Sequence, residues 1–234
     1  TVEKINNTAD ALGYEIEDNI KEPVVALNAF DINTTQSCEG HIDDHGITVP
    51  WIDIKAPGEP RYMYNNEQEN YEIVAQKYSL TVEEVERSFN QDAWRKATRK
   101  SAEAGYTEEY KKWKEKNKTE EEVVREVLAD FYKNREVPDK VRIRIKGEEE
   151  FEGVFQLYSG GEDYMETEDY AKLSEERKTE IRNNLPSYRK EFQDFAQFLK
   201  EKFFTEGESY VNNIRKKIQE KKDNEKIKAI REKL

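Results

Sequence analysis

"EPVVALNAFDINTTQSCEGHIDDHGITVPWIDI", residues 22–54, changes its hydrophobic period twice, and the places where it changes set the fold. Glu22–Asp31 brings Val24, Leu27 and Asn28 to helical spacing behind Pro23, a residue suited to a first turn, so a short helix is expected. "INTTQSC" is rich in β-prone residues, and "VPWIDI" (Val49–Ile54) alternates apolar and polar side chains as a half-buried strand does. These two strands would flank a loop of about ten residues, longer than the usual hairpin connection. Long ordered loops are where function tends to sit. Asp31 falls at a helix end that often needs positive φ, which Asp tolerates better than most residues.

Outward from this stretch the chain turns helical. Thr81 with Glu84 and Thr119 with Glu122 both read as capping boxes, separated by Gly105. The second precedes Val123, Val124, Val127, Leu128 and Phe131 at amphipathic spacing. "KVRIRIKG" (Lys140–Gly147) alternates strictly and, with "FEGVFQLYSGG", predicts a second strand pair closing at Gly160 and Gly161. Arg142, Arg144 and Lys146 then share one face, either wet or opposite an acidic partner. Ser174 caps a helix expected to end before Pro186, and Tyr188, Phe192, Phe195, Leu199 and Phe203 stripe another. The expected class is α+β: a small sheet with long helical elaborations and a helical C-terminal tail. The divisions are 1–60 with the Cys/His loop, 61–139 helical, 140–206 completing the core, and the tail 207–234.

Composition narrows the function classes. Hydrophobic residues are 35% and charged residues 38%, so the core is lean, while 13 Tyr, 10 Phe and 3 Trp argue against wholesale disorder. Net charge is −12, unevenly spread. From Glu208 onward nine basic residues face five acidic ones, leaving 30 basic and 46 acidic residues before it, a net of −16. Such a body repels a phosphate backbone, although a local basic face still binds one. One cysteine permits no intrachain disulfide, and with no apolar leader at the start a reducing cytoplasm is expected. No apolar run approaches the roughly 20 residues of a membrane span, so no membrane partner is expected.

Within the expected loop stand the only cysteine, Cys38, and the only two histidines, His41 and His45. Cys-x2-His-x3-His offers one thiolate and two imidazoles, a set suited to zinc or another transition metal, with a fourth position open. In catalytic sites that place holds water for hydrolysis or deamination, with Glu39, Asp43 or Asp44 as base or supporting group. A second reading makes Cys38 a nucleophile, with a histidine lowering its pKa and Asp53 or Asp44 orienting the imidazole. A third has the loop bind a ligand through the hydroxyls of Thr34, Thr35 and Ser37, the backbone at Gly40 and Gly46, and Trp51. The plainest is that Cys38 is a small buried apolar residue.

Taken with its upstream helix, "IEDNIKEPVVALNAFDINTTQSCEGH" (Ile16–His41) resembles the N-terminal motif of the tRNA wybutosine-synthesizing methyltransferase family. There an acidic residue begins a helix, an "IN" pair ends it, and a "TTSSCSGR" strand follows. Asp18, Leu27, Asn28, Thr34, Thr35, Ser37, Cys38 and Gly40 match; Glu39 replaces a small residue and His41 an arginine. The likeness covers about a tenth of the chain. It implies S-adenosylmethionine as cofactor and a nucleotide or RNA ligand around Ser37 and Cys38. "SCEGH" followed by "PW" also looks like a pattern in uncharacterised microbial and phage proteins.

Three other signals are weaker. "AQKYSLTVEEV" (Ala75–Val85) has helix-turn-helix spacing, but Glu83, Glu84 and Glu86 stand where phosphate would lie, so an ordinary helical corner is expected. Arg95, Lys96, Arg99 and Lys100 beside Trp94 form an RNA-contacting patch or, more often, a solvated helix face. The tail's seam of Val211, Ile214, Ile218, Ile227, Ile230 and Leu234 suits self-association or a protein partner, the basis of a noncatalytic interaction reading.

Overall fold

Two compact units divide the chain, one formed by 1–56 with 117–234 and one by 57–116; the structure, a computed structural model, describes residues 15–43, 46–147 and 153–232. In the larger unit, α1 (Asp18–Ala29) precedes β1 (Thr34–Cys38), β2 (His41–Asp43), β3 (Gly46–Thr48) and β4 (Trp51–Ile54). The same unit holds β5 (Arg144–Lys146), β6 (Phe155–Tyr158) and β7 (Met165–Glu166). Antiparallel pairing orders one sheet β1-β4-β6-β5 and a second β2-β3-β7. The expected α+β class is observed.

Helix α1 begins four residues before the expected start, which leaves Pro23 inside it. Proline cannot donate to the carbonyl four residues back, and that carbonyl, Asn19 O, instead accepts from Gln193 Nε2. The helix ends at Ala29, two residues short of the expected end, and the chain turns as expected at Asp31, at φ 57°. Its Ile20, Val24 and Leu27 stripe packs in the core with Ile52, Ile54, Phe155 and Leu157 of the sheet.

The later helices of this unit are α5 (Glu108–Tyr132), whose first turns belong to 57–116, α6 (Thr167–Ala171), α7 (Glu175–Glu206) and α8 (Ser209–Arg231). Ser174 Oγ caps α7 by accepting from Arg177 N at 3.3 Å, but the helix continues through Pro186 rather than ending there. An interior proline costs about 3 kcal/mol. Beyond it Tyr188, Phe192, Phe195 and Leu199 are all buried, at about 1.5–3 kcal/mol each, so burial carries the helix through.

The expected helix start at Thr119–Glu122 is absent, because both residues lie inside α5. Their polar groups serve α8: Lys222 Nζ donates to Thr119 Oγ1 at 2.9 Å and stands 3.1 Å from Glu122. The strand expected over Lys140–Gly147 is only Arg144–Lys146. Val141 N and Arg142 N turn back onto Pro138 O and Asp139 O, and Ile143 N donates to Tyr132 Oη at 2.8 Å instead of to a strand. The tail is helical and its near half is core: Tyr210, Val211 and Ile218 are buried. Arg215 reaches the carbonyls of Phe30 and Asp31 and pairs with Glu120 at 3.0 Å, a cation at the C-terminal end of α1. Ile227 and Ile230 are exposed, and Leu234 lies outside the described residues.

In the unit 57–116, α2 (Glu67–Tyr78), α3 (Val82–Glu86) and α4 (Gln91–Ala102) enclose Tyr71, Val74, Ala75, Val85, Ala93 and Ala97. The capping box at Thr81 and Glu84 is present, and Ser79 turns the corner at φ 55°. Arg95, Lys96, Arg99 and Lys100 are exposed. No helix among the described residues is long and apolar enough to cross a membrane.

Ending the chain after Gly207 removes three buried side chains from the core. It is expected to cost at least about 4 kcal/mol in urea unfolding, enough to unfold a marginal domain. Ending it after Asp223 leaves those contacts in place and should change stability by less than about 1 kcal/mol.

Candidate metal centre at the end of strand β1

The stretch expected to be a loop is a hairpin. His41 pairs with Thr48, Ile42 with Ile47 and Asp43 with Gly46, so β2 and β3 fold back on each other between β1 and β4. His41 therefore rides on a paired strand, which limits where its ring points. His45 and Asp44 lie outside the described residues.

Strand alternation sorts the other candidates. Cys38 pairs with Trp51, Trp51 with Tyr158 and Tyr158 with Arg144, while Asp53 lies between Gln36 and Gln156 in the next row of the same face. Ser37 belongs to the opposite row with Ile52, Leu157 and Ile145, which is the core row. Ser37 and Cys38 are thus presented to different faces. Thr34 Oγ1 accepts from Asn28 Nδ2 at 2.6 Å, tying β1 to α1, and Thr35 sits at the irregularity between Thr34 and Gln36. Asp53 accepts from Gln156 Nε2 at 2.8 Å, and burial raises its pKa. It is Gln156, not an imidazole, that Asp53 holds.

The geometry brings Glu17 to the Cys/His pair. One ligand atom each from Glu17, Cys38 and His41 lies within 4.8 Å of the other two. Glu17 stands at the N-cap of α1; its Oε1 lies 2.6 Å from His41 Nε2 and its Oε2 accepts from Glu39 N at 2.7 Å. The sequence marks an acidic residue at that helix start, but the carboxylate that reaches the strand end belongs to Glu17 rather than Asp18. Nothing local signals its role, because 21 residues separate it from Cys38.

Two features hold the turn that follows Cys38. Gly40 has φ 84°, and a Cβ there would come within 2.9 Å of Leu185 Cδ1 and of Pro50 Cδ and N. Arg189, from α7, donates through Nε to Glu39 O at 3.0 Å and through Nη2 to Gly40 O at 2.7 Å, and pairs with the Glu39 carboxylate at 3.1 Å. Asn19 donates to that carboxylate through its backbone N at 3.0 Å and its Nδ2 at 2.9 Å. Burial acts against ionisation of Glu39, but the Asn19 hydrogen bonds and the Arg189 charge outweigh it and keep its pKa below the ordinary value. Glu39 is thereby a brace, already occupied, rather than a free base.

The Cys38 thiol is pushed up to about 11, first by burial and then by the Glu17 and Glu39 charges, against a hydrogen bond from Gly40 N at 3.3 Å and the Arg189 charge. It is protonated at neutral pH, the opposite of an activated nucleophile. A bound cation reverses that balance, since a coordinating thiol is deprotonated by the metal.

No protein-family model, curated protein or solved structure matches the chain.

Alkylation of Cys38 by iodoacetamide in metal-free protein, followed by mass spectrometry, should be slow at pH 7 and rise about tenfold per pH unit toward pH 11. Gly40→Ala adds both a clash and a strained φ and is expected to cost about 2–4 kcal/mol in denaturant unfolding.

Proposed function

We propose that this chain is a metal-dependent domain that holds a transition metal such as zinc through Cys38, His41 and Glu17, with the fourth position open to solvent or substrate. The observation carrying this reading is the convergence of three different donor types within 4.8 Å from three separate elements. The donors of a tetrahedral zinc site stand about 3.3–3.8 Å apart, given bonds of about 2.0–2.3 Å. Seating the ion would therefore open the 2.6 Å His41–Glu17 contact to about 3.3 Å and bring the Cys38 sulfur to a similar spacing. Among the described residues no fourth Cys, His, Asp or Glu joins the cluster. Structural zinc sites are closed by four ligands, whereas three ligands with partly exposed side chains suit a site that does chemistry. When bound, such an ion supplies Lewis acidity for hydrolysis or deamination. This chain contributes the orientation: the α1 N-cap fixes Glu17, the β2–β3 pairing fixes His41, and Arg189 fixes the turn behind Cys38.

Elemental analysis of untagged protein tests the reading. One zinc or similar ion per chain is expected, with Cys38→Ser, His41→Gln and Glu17→Gln each weakening binding tenfold or more. Uptake should release about one proton near pH 7, since the thiol is protonated beforehand. A metal-free protein with no micromolar zinc affinity overturns the proposal, and a thermal shift from S-adenosylmethionine in that protein would select methyl transfer to a nucleotide or RNA instead.

A second reading, a docking helix for a protein partner or a second copy, is favoured by the exposed Ile227 and Ile230 of α8. Truncation after Asp223 should then lower the mass seen by light scattering, and an unchanged mass removes self-association.

A further inference from the structure

Where β5 approaches the Gly160–Gly161 turn, the larger unit has a cleft of about 160 Å³ lined by Lys140, Arg142, Arg144, Lys146, Tyr158 and Glu162, with the two glycines at its rim. Among the described residues, four cations and one carboxylate line it, in a chain whose net charge is −12. The cations repel one another, so each needs something to hold it. Arg142 lies over the Tyr132 ring at 4.1 Å and Lys140 donates to Asn184 Oδ1 at 3.3 Å, both neutral partners. Lys146 lies over the Tyr158 ring at 5.1 Å, and Arg144 pairs with Asp139. The ring beneath Arg142 and the amide beside Lys140 place charge without cancelling it, as an anion site requires, while Arg144 shares its charge with Asp139.

The rim is built rather than incidental. A Cβ on Gly160, at φ 77°, would lie 2.3 Å from the Tyr188 ring, and one on Gly161 would lie 2.4 Å from Tyr158 Cε2. Directly after them Asp163, buried, accepts from Arg177 at 2.7 Å, Asn184 at 3.0 Å and Tyr188 Oη at 2.6 Å, which fixes the turn. Asn184 thereby links the rim to Lys140.

We infer that this cleft binds the phosphate or pyrophosphate group of a small molecule. Two magnitudes select that class. The volume lies below the roughly 300–1,000 Å³ of sites that enclose a whole ligand, so the cleft takes a charged head and leaves the remainder outside. A long polyanion would also meet the acidic body around the cleft, whereas a compact one meets chiefly the cleft's own cations. The assignment is independent of the metal reading.

Calorimetry on the full chain tests it, with pyrophosphate and a twelve-residue oligouridylate as probes at about 50 and 200 mM salt. Pyrophosphate should bind, weaken with salt, and lose about tenfold or more in each of Arg144→Gln and Lys140→Gln, two sites outside the core, with unchanged melting temperature. Cys38→Ser should leave this binding intact, which separates it from chelation at the metal centre. The inference is overturned by no pyrophosphate binding at low salt, by binding unchanged in both cleft variants, or by binding lost in Cys38→Ser. Tighter binding of oligouridylate than of pyrophosphate, dependent on the same residues, overturns the small-molecule assignment in favour of a nucleic-acid backbone.

Discussion

A single guanidinium carries the geometry of the candidate site. Arg189 grips two consecutive backbone carbonyls and the Glu39 carboxylate from a helix about 150 residues away in sequence. Its planar fork suits this task in a way a lysine's point charge does not. The Gly40 turn cannot shift without opening those bonds, and it cannot accept a side chain. Cys38 and His41 lie on either side of that turn, so their separation is set by Arg189 as much as by the strands they belong to.

The same helix anchors the other end of the sheet. Asp163 collects Arg177, Asn184 and Tyr188 near the basic cleft, while the buried Glu191 accepts from Tyr132 at 2.9 Å and pairs with Arg135 at 2.8 Å. A chain with this little apolar material uses polar hubs where a richer core would use packing alone. Such hubs are demanding, because losing one partner of a buried ion pair costs about 3–5 kcal/mol. Helix α7 accordingly fixes both the turn after Cys38 and the rim of the basic cleft by hydrogen bonds whose geometry leaves little freedom.

Electrostatics divides the larger unit into unlike regions. At the end of β1, burial first and then the Glu17 and Glu39 carboxylates hold a half-buried thiol protonated, and those carboxylates make a surrounding that favours a cation. Around β5, among the described residues, four cations and Glu162 line one cleft, a surrounding that favours an oxyanion. Both lie along the row Cys38–Trp51–Tyr158–Arg144. Neighbouring strands are about 4.8 Å apart, so three steps across the sheet separate the two by roughly 15 Å.

Much of the fold was legible in local chemistry. The α1 stripe, the positive φ of Asp31, the strands carrying Thr34–Cys38 and Trp51–Ile54, the capping box at Thr81 and the cap at Ser174 depend on residues within a few positions of one another. Local readings failed where a distant group intervened. Lys222 drew Thr119 and Glu122 away from a cap, Tyr132 took the amide of Ile143, Gln193 satisfied the carbonyl that Pro23 leaves open, and burial carried α7 past Pro186. The candidate site divides in the same way. Sequence alone determined that Cys38 and His41 are neighbours and that a strand presents the cysteine. Only tertiary structure decided that Ser37 faces away, that Asp53 is held by Gln156, and that Glu17 and Arg189 complete the site. The reason is physical: period and capping act over one or two turns of chain, whereas a carboxylate or a guanidinium bonding to a distant backbone leaves no repeating mark in the sequence that supplies it.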